Sequence, residues 1–344
     1  MSVSTRSLFA VGLALITPHA ASRAWDYEGH RLVNQVALAA LPADFPAFVR
    51  APAAAEHIAY LGGGPDRWRN TADLPVKHAT SLDHYFDVEY VGLAGLRLEE
   101  ISDLRYTFVR QYAPAREKHA AAFPPIVAEK NTDQTQEWPG FLPWTITEHY
   151  GKLMSAFSVL RTFQELGTEE EIANAEADVI RTLGMMGHYV GDSAQPLHTT
   201  MHHNGWVGDN PQGYSRWPGL HAWIDGGFIA RAGIGLTNLL PRVRTARIWD
   251  LPPTGGPGRD PMFVAVLDHV LAQHALVEPL YQMDKAGVFK GETAASSVEG
   301  RRFIEDRLLA GGHALADLWL MAWKNAGPDV YLQGKLRQRA NRPR

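Results

Sequence analysis

A single, mainly α-helical domain is the fold class the sequence predicts, on three observations. Apolar residues recur at helical spacing through most of the chain. Sustained alternation is absent, as is any hairpin dipeptide between β-branched runs. No internal repeat or shift in composition divides the chain after its first two dozen residues. With 344 residues, 45% hydrophobic and 20% charged, the chain has material for one large core and no bias towards disorder.

Residues 1–24 read as a secretory leader and not as part of the fold. Arg6 supplies a positive start, residues 8–16 a short apolar run, and Ser22-Arg23-Ala24 a small-x-small cleavage site. Cleavage between Ala24 and Trp25 makes Trp25 the first residue of a periplasmic or secreted protein. No later stretch is judged long and apolar enough to cross a bilayer. The domain is expected over residues 25–334, with 335–344 a basic, frayed tail.

The elements follow in order. Leu32, Val33, Val36, Ala37 and Ala40 predict a helix over 28–41, stopped by Pro42 and Pro46, with His30 in its first turn. Residues 53–61 form a short helix ended by Gly62-Gly63-Gly64-Pro65. Asp66-Arg67-Trp68-Arg69 is expected in irregular chain, where an Asp commonly serves as an N-cap. An aromatic run over 82–88 encloses His84. Residues 98–121 read as a helix kinked or broken at Pro114, and a long Pro- and Trp-rich connection then reaches Trp144. Tyr150, Leu153, Phe157 and Leu160 predict a helix over 147–166. Another runs from Thr168 to about Tyr189, with Glu169, Glu170 and Glu171 at the positive end of its dipole. Residues 199–219 are a second long connection, a helix opens at Leu220, and 252–258 is a loop. Helices over 260–284 and 297–325 complete the chain, the last apolar around much of its circumference and so expected at the centre of the core. Trp138, Trp144, Trp206 and Trp217 fall where exposed loops are expected.

The candidate chemistry centres on residues 187–198. His188 and Asp192 are four apart, one turn along one helix face. Pro196 stops the helix, so His198 can return towards that face. His221 and Asp225 repeat the four-residue spacing. There is no cysteine, so a metal here must be held by nitrogen and oxygen, and thiol catalysis is excluded. There is no phosphate loop, no Gly-x-Ser-x-Gly elbow and no His-Glu-x-x-His motif. His57, His78, His119, His149, His269, His274 and His313 are read as surface or satisfied core residues. His202 and His203 adjoin the site.

The ordered set of Trp25 to His30, His188–Asp192–Pro196–His198, and Leu220-His221 with Asp225 resembles the superfamily that unites zinc-dependent phospholipase C with the single-strand-specific zinc nucleases (3'-nucleotidase/nucleases). The resemblance spans nearly the whole chain after residue 24. It implies an all-α fold with long irregular loops and a cluster of three zinc ions. Carried over by position, Asp66, His84, His188 and Asp192 hold a first zinc, and His198, His221 and Asp225 a second. The amino group and carbonyl oxygen of Trp25, with His30 and Asp192, hold a third. Asp66 and Asp192 are the carboxylates of the catalytic centre, Asp192 bridging two metals. The leader would then have to be removed, because an amide nitrogen cannot act as the free α-amine does.

The short gap from Trp25 to His30 resembles the nuclease branch, and so do Tyr85 and Asp87. There the corresponding residues give an aromatic face for an unpaired base and a carboxylate for its edge. Asn204 joins them as a substrate-binding candidate, within His202-His203-Asn204-Gly205 where the nucleases carry Gly-Gly-Asn. Ile224, with Trp223 before it, and Gly219 also depart from the nuclease pattern around the substrate. The expected activity is therefore a zinc-dependent phosphoesterase cleaving single-stranded DNA and RNA. A phospholipase C acting on phospholipid head groups is the alternative, and an inactive zinc-binding protein ranks last.

Overall fold

The structure is a computed structural model, described here for residues 25–251, 258–291 and 295–341. The leader expected over residues 1–24 and most of the loop expected over 252–258 lie outside the described residues. The elements are helical, and no strand occurs among the described residues.

The first half runs α1 (Tyr27–Ala40), α2 (Pro52–Leu61), α3 (Gly64–Arg69), α4 (Leu74–Ser81), α5 (Val88–Leu93) and α6 (Arg105–Lys118). Two 25-residue helices follow, α7 (Leu142–Leu166) and α8 (Glu169–Ser193). Short pieces come next: α9 (Leu220–Ala222), a π-helical turn over Trp223–Gly227, α10 (Phe228–Ala232) and α11 (Leu236–Leu239). The chain ends with α12 (Pro261–His274), α13 (Val277–Lys285), α14 (Val298–Asn325) and α15 (Val330–Ala340).

The core is built by α1, α7, α8 and α14. Helix α8 packs along α7, α14 along α1, and α14 also meets α7 and α8. A capping box starts α8: the Thr168 hydroxyl accepts from the Glu171 N–H at 3.2 Å, and the Glu171 carboxylate accepts from the Thr168 N–H at 2.9 Å. Such a cap contributes about 1 kcal/mol. At the crossing of α1 and α8 the buried Asn34 amide donates to the Ile58 carbonyl at 2.7 Å and the Gly184 carbonyl at 3.1 Å, tying α1, α2 and α8 together. Gly187 is required there, because a Cβ would collide with Asn34 Oδ1. Helix α14 is central, with Leu308, Leu315 and Trp319 fully buried.

Several expectations are corrected. Asp66 lies inside a helix, α3, because a proline in the first turn needs no N–H partner. Trp144 is 1% exposed within α7, which opens at Leu142. Lys335 lies within α15, whose Arg337 and Arg339 pair with Glu165 and Glu171, so the tail is folded through residue 340. Residues 261–285 do reach the length and mean hydropathy of a membrane span, but the chain breaks there into α12 and α13, and α12 packs on α7.

Candidate metal centre and cleft

Helix α8 carries His188 and Asp192 to its C-terminal end and stops at Ser193, before Pro196. Pro196 then opens a 3-10 turn over Pro196–His198, which brings His198 back against the helix end. Residues 82–88 are laid beside this turn by backbone bonds from Phe86 N to His198 O (2.9 Å) and from Val88 N to Thr199 O (3.2 Å). A third strand of chain locks the arrangement: Phe141 N donates to Leu82 O at 2.6 Å, and Gly140 (φ +89°) sits so close to Tyr85 that a Cβ would collide with its carbonyl. His84 is thereby fixed facing α8.

The first group comprises Asp66, His84, His188 and Asp192. His188 Nδ1 lies 2.7 Å from the Gly62 carbonyl, which leaves the Nε2 lone pair pointing inward. That Nε2 is 2.8 Å from His84 Nδ1, 3.2 Å from Asp192 Oδ2 and 4.0 Å from Asp66 Oδ1. His84 Nδ1 is itself 3.2 Å from Asp192 Oδ2 and 3.9 Å from Asp66 Oδ1. Donor atoms around a tetrahedral zinc are about 3.3 Å apart, given metal–nitrogen distances near 2.05 Å, so the group has the span of a metal shell.

A second group shares Asp192. Its Oδ1 accepts no hydrogen bond and lies 3.5 Å from His30 Nε2, while Oδ2 faces His84 and His188. His30 is fully buried, stacks on His188 at 3.8 Å, and has no hydrogen bond at either ring nitrogen. Trp25 is also fully buried beside this group: its indole donates to the Gly191 carbonyl at 2.9 Å, and Asp26 N donates to the Asp225 carbonyl at 3.3 Å. The start of α1 is thus held between Asp192 and Asp225.

The third group is His198, His221 and Asp225. His198 Nδ1 lies 2.7 Å from the His84 carbonyl, which turns Nε2, without a hydrogen bond, towards Asp225 Oδ2 at 3.9 Å. His221 Nε2 is 2.9 Å from the same oxygen, and Gln195 donates to the other. The π-helical turn carries Asp225 within a widened backbone, a distortion that recurs at functional sites.

Burial and the buried carboxylates act on the imidazoles in opposite directions, and against burial the Asp192 charge pushes His188 and His198 above their ordinary value. Burial, with His188 alongside, pushes His30 down to about 3, and burial pushes His84 down to about 4 against the pull of Asp192. Both are therefore neutral imidazoles at neutral pH, the form that binds metals. Burial alone would raise Asp192, but the neighbouring His188 and His198 hold it well below the usual carboxylate range. Asp225 is held down in the same way by His221. Three sets could hold metal ions here, each with ligand atoms within 4.8 Å of one another: His30 with His188 and Asp192, Asp66 with His84 and His188, and His198 with His221 and Asp225, so that His188 belongs to two of them.

A cleft of about 510 Å3 opens beside the third group and is lined by His198 and His221. Tyr85, Asp87 and Asn204 all line it, and Asp87 Oδ1 and Asn204 Oδ1 are buried without hydrogen-bond partners. Burial, reinforced by Glu89, pushes the Asp87 carboxyl well above its ordinary range. His203 also lines the cleft, whereas His202 stacks on Trp206 at 4.0 Å. Sequence reasoning missed Arg69, Lys77 and Lys130 in the same wall. Arg69 was findable as the residue one helical turn after Asp66, had α3 been recognised. His149 and His269, read as satisfied, each keep a buried ring nitrogen without a hydrogen-bond partner.

Compared with known proteins, the chain matches no family model and no curated sequence.

Proposed function

We propose that this protein is a trinuclear zinc phosphoesterase of the zinc phospholipase C and single-strand nuclease type, cleaving single-stranded DNA and RNA after removal of residues 1–24. One observation carries the reading most: the two oxygens of the fully buried Asp192 face different imidazoles, Oδ1 towards His30 at 3.5 Å and His198 at 3.8 Å, Oδ2 towards His84 and His188 at 3.2 Å each. A carboxylate that bridges two metals needs that division. Asp66, His84, His188 and Asp192 would hold the first zinc, His198, His221 and Asp225 the second, and Trp25, His30 and Asp192 the third.

Bound there, zinc supplies Lewis acidity at a phosphoryl oxygen and an acidified water for in-line attack on a phosphodiester. The chain's own residues supply the rest. The Gly62 and His84 carbonyls fix the tautomers of His188 and His198. Arg69 contributes positive charge in the cleft wall, where phosphoryl oxygens gain negative charge. Tyr85 offers a ring for an unpaired base, and the Asp87 carboxyl with Asn204 offers polar atoms to its edge.

Phospholipid is the competing substrate, favoured by Trp217, which is 51% exposed on the 199–219 connection. One assay separates the readings. The processed, zinc-loaded protein is given single-stranded DNA, RNA, a 3'-nucleotide and phosphatidylcholine, and initial rates are compared. Cleavage of the nucleic acids with little lipid turnover is expected, and turnover of lipid alone rejects the nuclease reading. Three zinc ions per chain with no turnover of any substrate would leave a metal-binding protein without activity.

A further inference from the structure

The cleft is cationic although the chain as a whole carries a net charge of −4. Arg69, Lys77 and Lys130 line it against two carboxylates, Asp87 and Asp133. Asp133 is already engaged. It accepts from the Thr135 hydroxyl at 2.9 Å and the Ser81 hydroxyl at 3.5 Å, and pairs with Lys77 at 3.8 Å. Lys130 is exposed and has no ion-pair partner among the described residues.

The segment that carries Lys130 is braced. Asn131 Oδ1 accepts from Gln136 N at 3.0 Å, and Asn131 Nδ2 donates to Glu137 at 2.8 Å. Gln134 N donates to the Asn131 carbonyl at 3.0 Å, and Gln134 takes φ +53°, the one positive φ of a non-glycine residue among the described residues. His78 Nδ1 lies 2.7 Å from the Asp133 carbonyl, which anchors the turn to α4. The turn that follows Lys130 is therefore fixed, and Lys130 lies in the lining of a cleft that also includes the metal-ligand candidates His198 and His221.

We infer that Lys130, which shares the cleft lining with His198 and His221 and has no ion-pair partner among the described residues, forms a subsite for a second phosphate group of the substrate, next to the phosphodiester that is cleaved. This rests on the reading of the centre as a phosphoesterase and deepens it, because the subsite selects polyanionic nucleotides. A zwitterionic head group such as phosphocholine brings a cation to the same wall and is disfavoured by like charge. Lysine suits the task as a point charge on a flexible stem, able to meet a phosphate in more than one pose.

The experiment compares a thymidine dinucleotide lacking terminal phosphates with the same dinucleotide phosphorylated at its 5' or 3' end. Wild type is expected to show a lower KM for one phosphorylated form. Lys130→Gln should raise that KM by about ten-fold while leaving kcat and the unphosphorylated dinucleotide unchanged, and Lys130→Arg should restore most of the loss. A wild type that treats all three alike, or a Lys130→Gln variant equally impaired on all three, overturns the subsite. If no dinucleotide is cleaved, the reading of the centre fails. The subsite is then judged by calorimetric binding of the phosphorylated dinucleotides to chelator-treated protein, where equal affinities of wild type and Lys130→Gln overturn it.

Discussion

Asp192 and Asp317 are both fully buried aspartates on long core helices, and their surroundings differ in kind. Asp317, on α14, is saturated. Oδ1 accepts from Arg244 Nη1 at 2.9 Å and Arg247 N at 2.8 Å, and Oδ2 from Arg244 Nη2 at 2.6 Å and the Trp249 indole at 2.9 Å. It pins the segment over 243–250 to the core and leaves nothing for a ligand. Asp192 has only imidazole nitrogens around it, and one oxygen without a hydrogen bond. Leaving buried donors and acceptors unmet is costly, so such groups are normally paired. Burial of a charge thus does not by itself mark a site. The mark is a set of inward lone pairs that no neighbouring N–H satisfies.

The comparison breaks most visibly at Asp192. Asp192→Asn keeps the shape and removes the charge shared by two donor groups. Phosphodiesterase activity is expected to fall by about 10^3-fold or more, with zinc per chain reduced in elemental analysis. A variant with full zinc and full rate would show that Asp192 is only a structural acid. Asp317→Ala should do the reverse. Removing the buried carboxylate takes the acceptor from the Arg247 N–H and the Trp249 indole as well as from the half-buried Arg244, and costs about 3 kcal/mol in denaturant unfolding, with zinc per folded chain unchanged. Loss of zinc without loss of stability would join the two regions that the structure keeps apart. A chelator supplies the third comparison. Bound metal at a hundred times its dissociation constant stabilises the native state by about 2.7 kcal/mol, so chelation should lower the unfolding midpoint of wild type. The energetic loss should be equal in Asp317→Ala, because distant sites add. A much smaller loss in that variant would reveal coupling.

What the sequence made legible follows from the range of the interactions. His188, Asp192 and Pro196 could be read because helical spacing and a proline stop are local rules, and α8 ends as they require. The Trp25–His30 opening and the His221–Asp225 pair were legible as spacings, but the π-helical turn that holds Asp225 has no local signature. Helix α3 was hidden by the glycines before Pro65, which read as a break although a proline at the second position suits a helix start. Helix α15 was hidden because its charges suggest a solvated tail. Its pairing partners, Glu165 and Glu171, lie far away in sequence on α7 and α8. The cleft wall was the least legible part. Lys130 reaches it only through Asp133 and Asn131, contacts that span dozens of residues or depend on one unusual turn.

The smallest expected effect tests the saturated side of the comparison by pH. His313 Nε2 accepts the Arg244 backbone N–H at 3.0 Å, next to the Asp317 network. Burial, with the Arg244 charge added and Asp317 opposing, pushes His313 from its ordinary 6.5 down to about 4, and Arg242 and Arg247 act in the same direction as Arg244. The unfolded chain therefore takes up a proton below pH 6.5 that the folded chain refuses until about pH 4. Stability falls as pH drops through that window, and above it His313 contributes no pH dependence. His313→Gln keeps a hydrogen-bond acceptor but cannot titrate. In chelator-treated protein, where metal loss cannot mask the effect, its unfolding midpoint should decline less steeply between pH 6.5 and 4 than that of wild type. Other buried histidines, His269 among them, titrate alike in both proteins and cancel in the difference. Superimposable pH curves would mean that the His313 ring is not held neutral by the Arg244 contact, and that the Asp317 network is looser than its four hydrogen bonds imply.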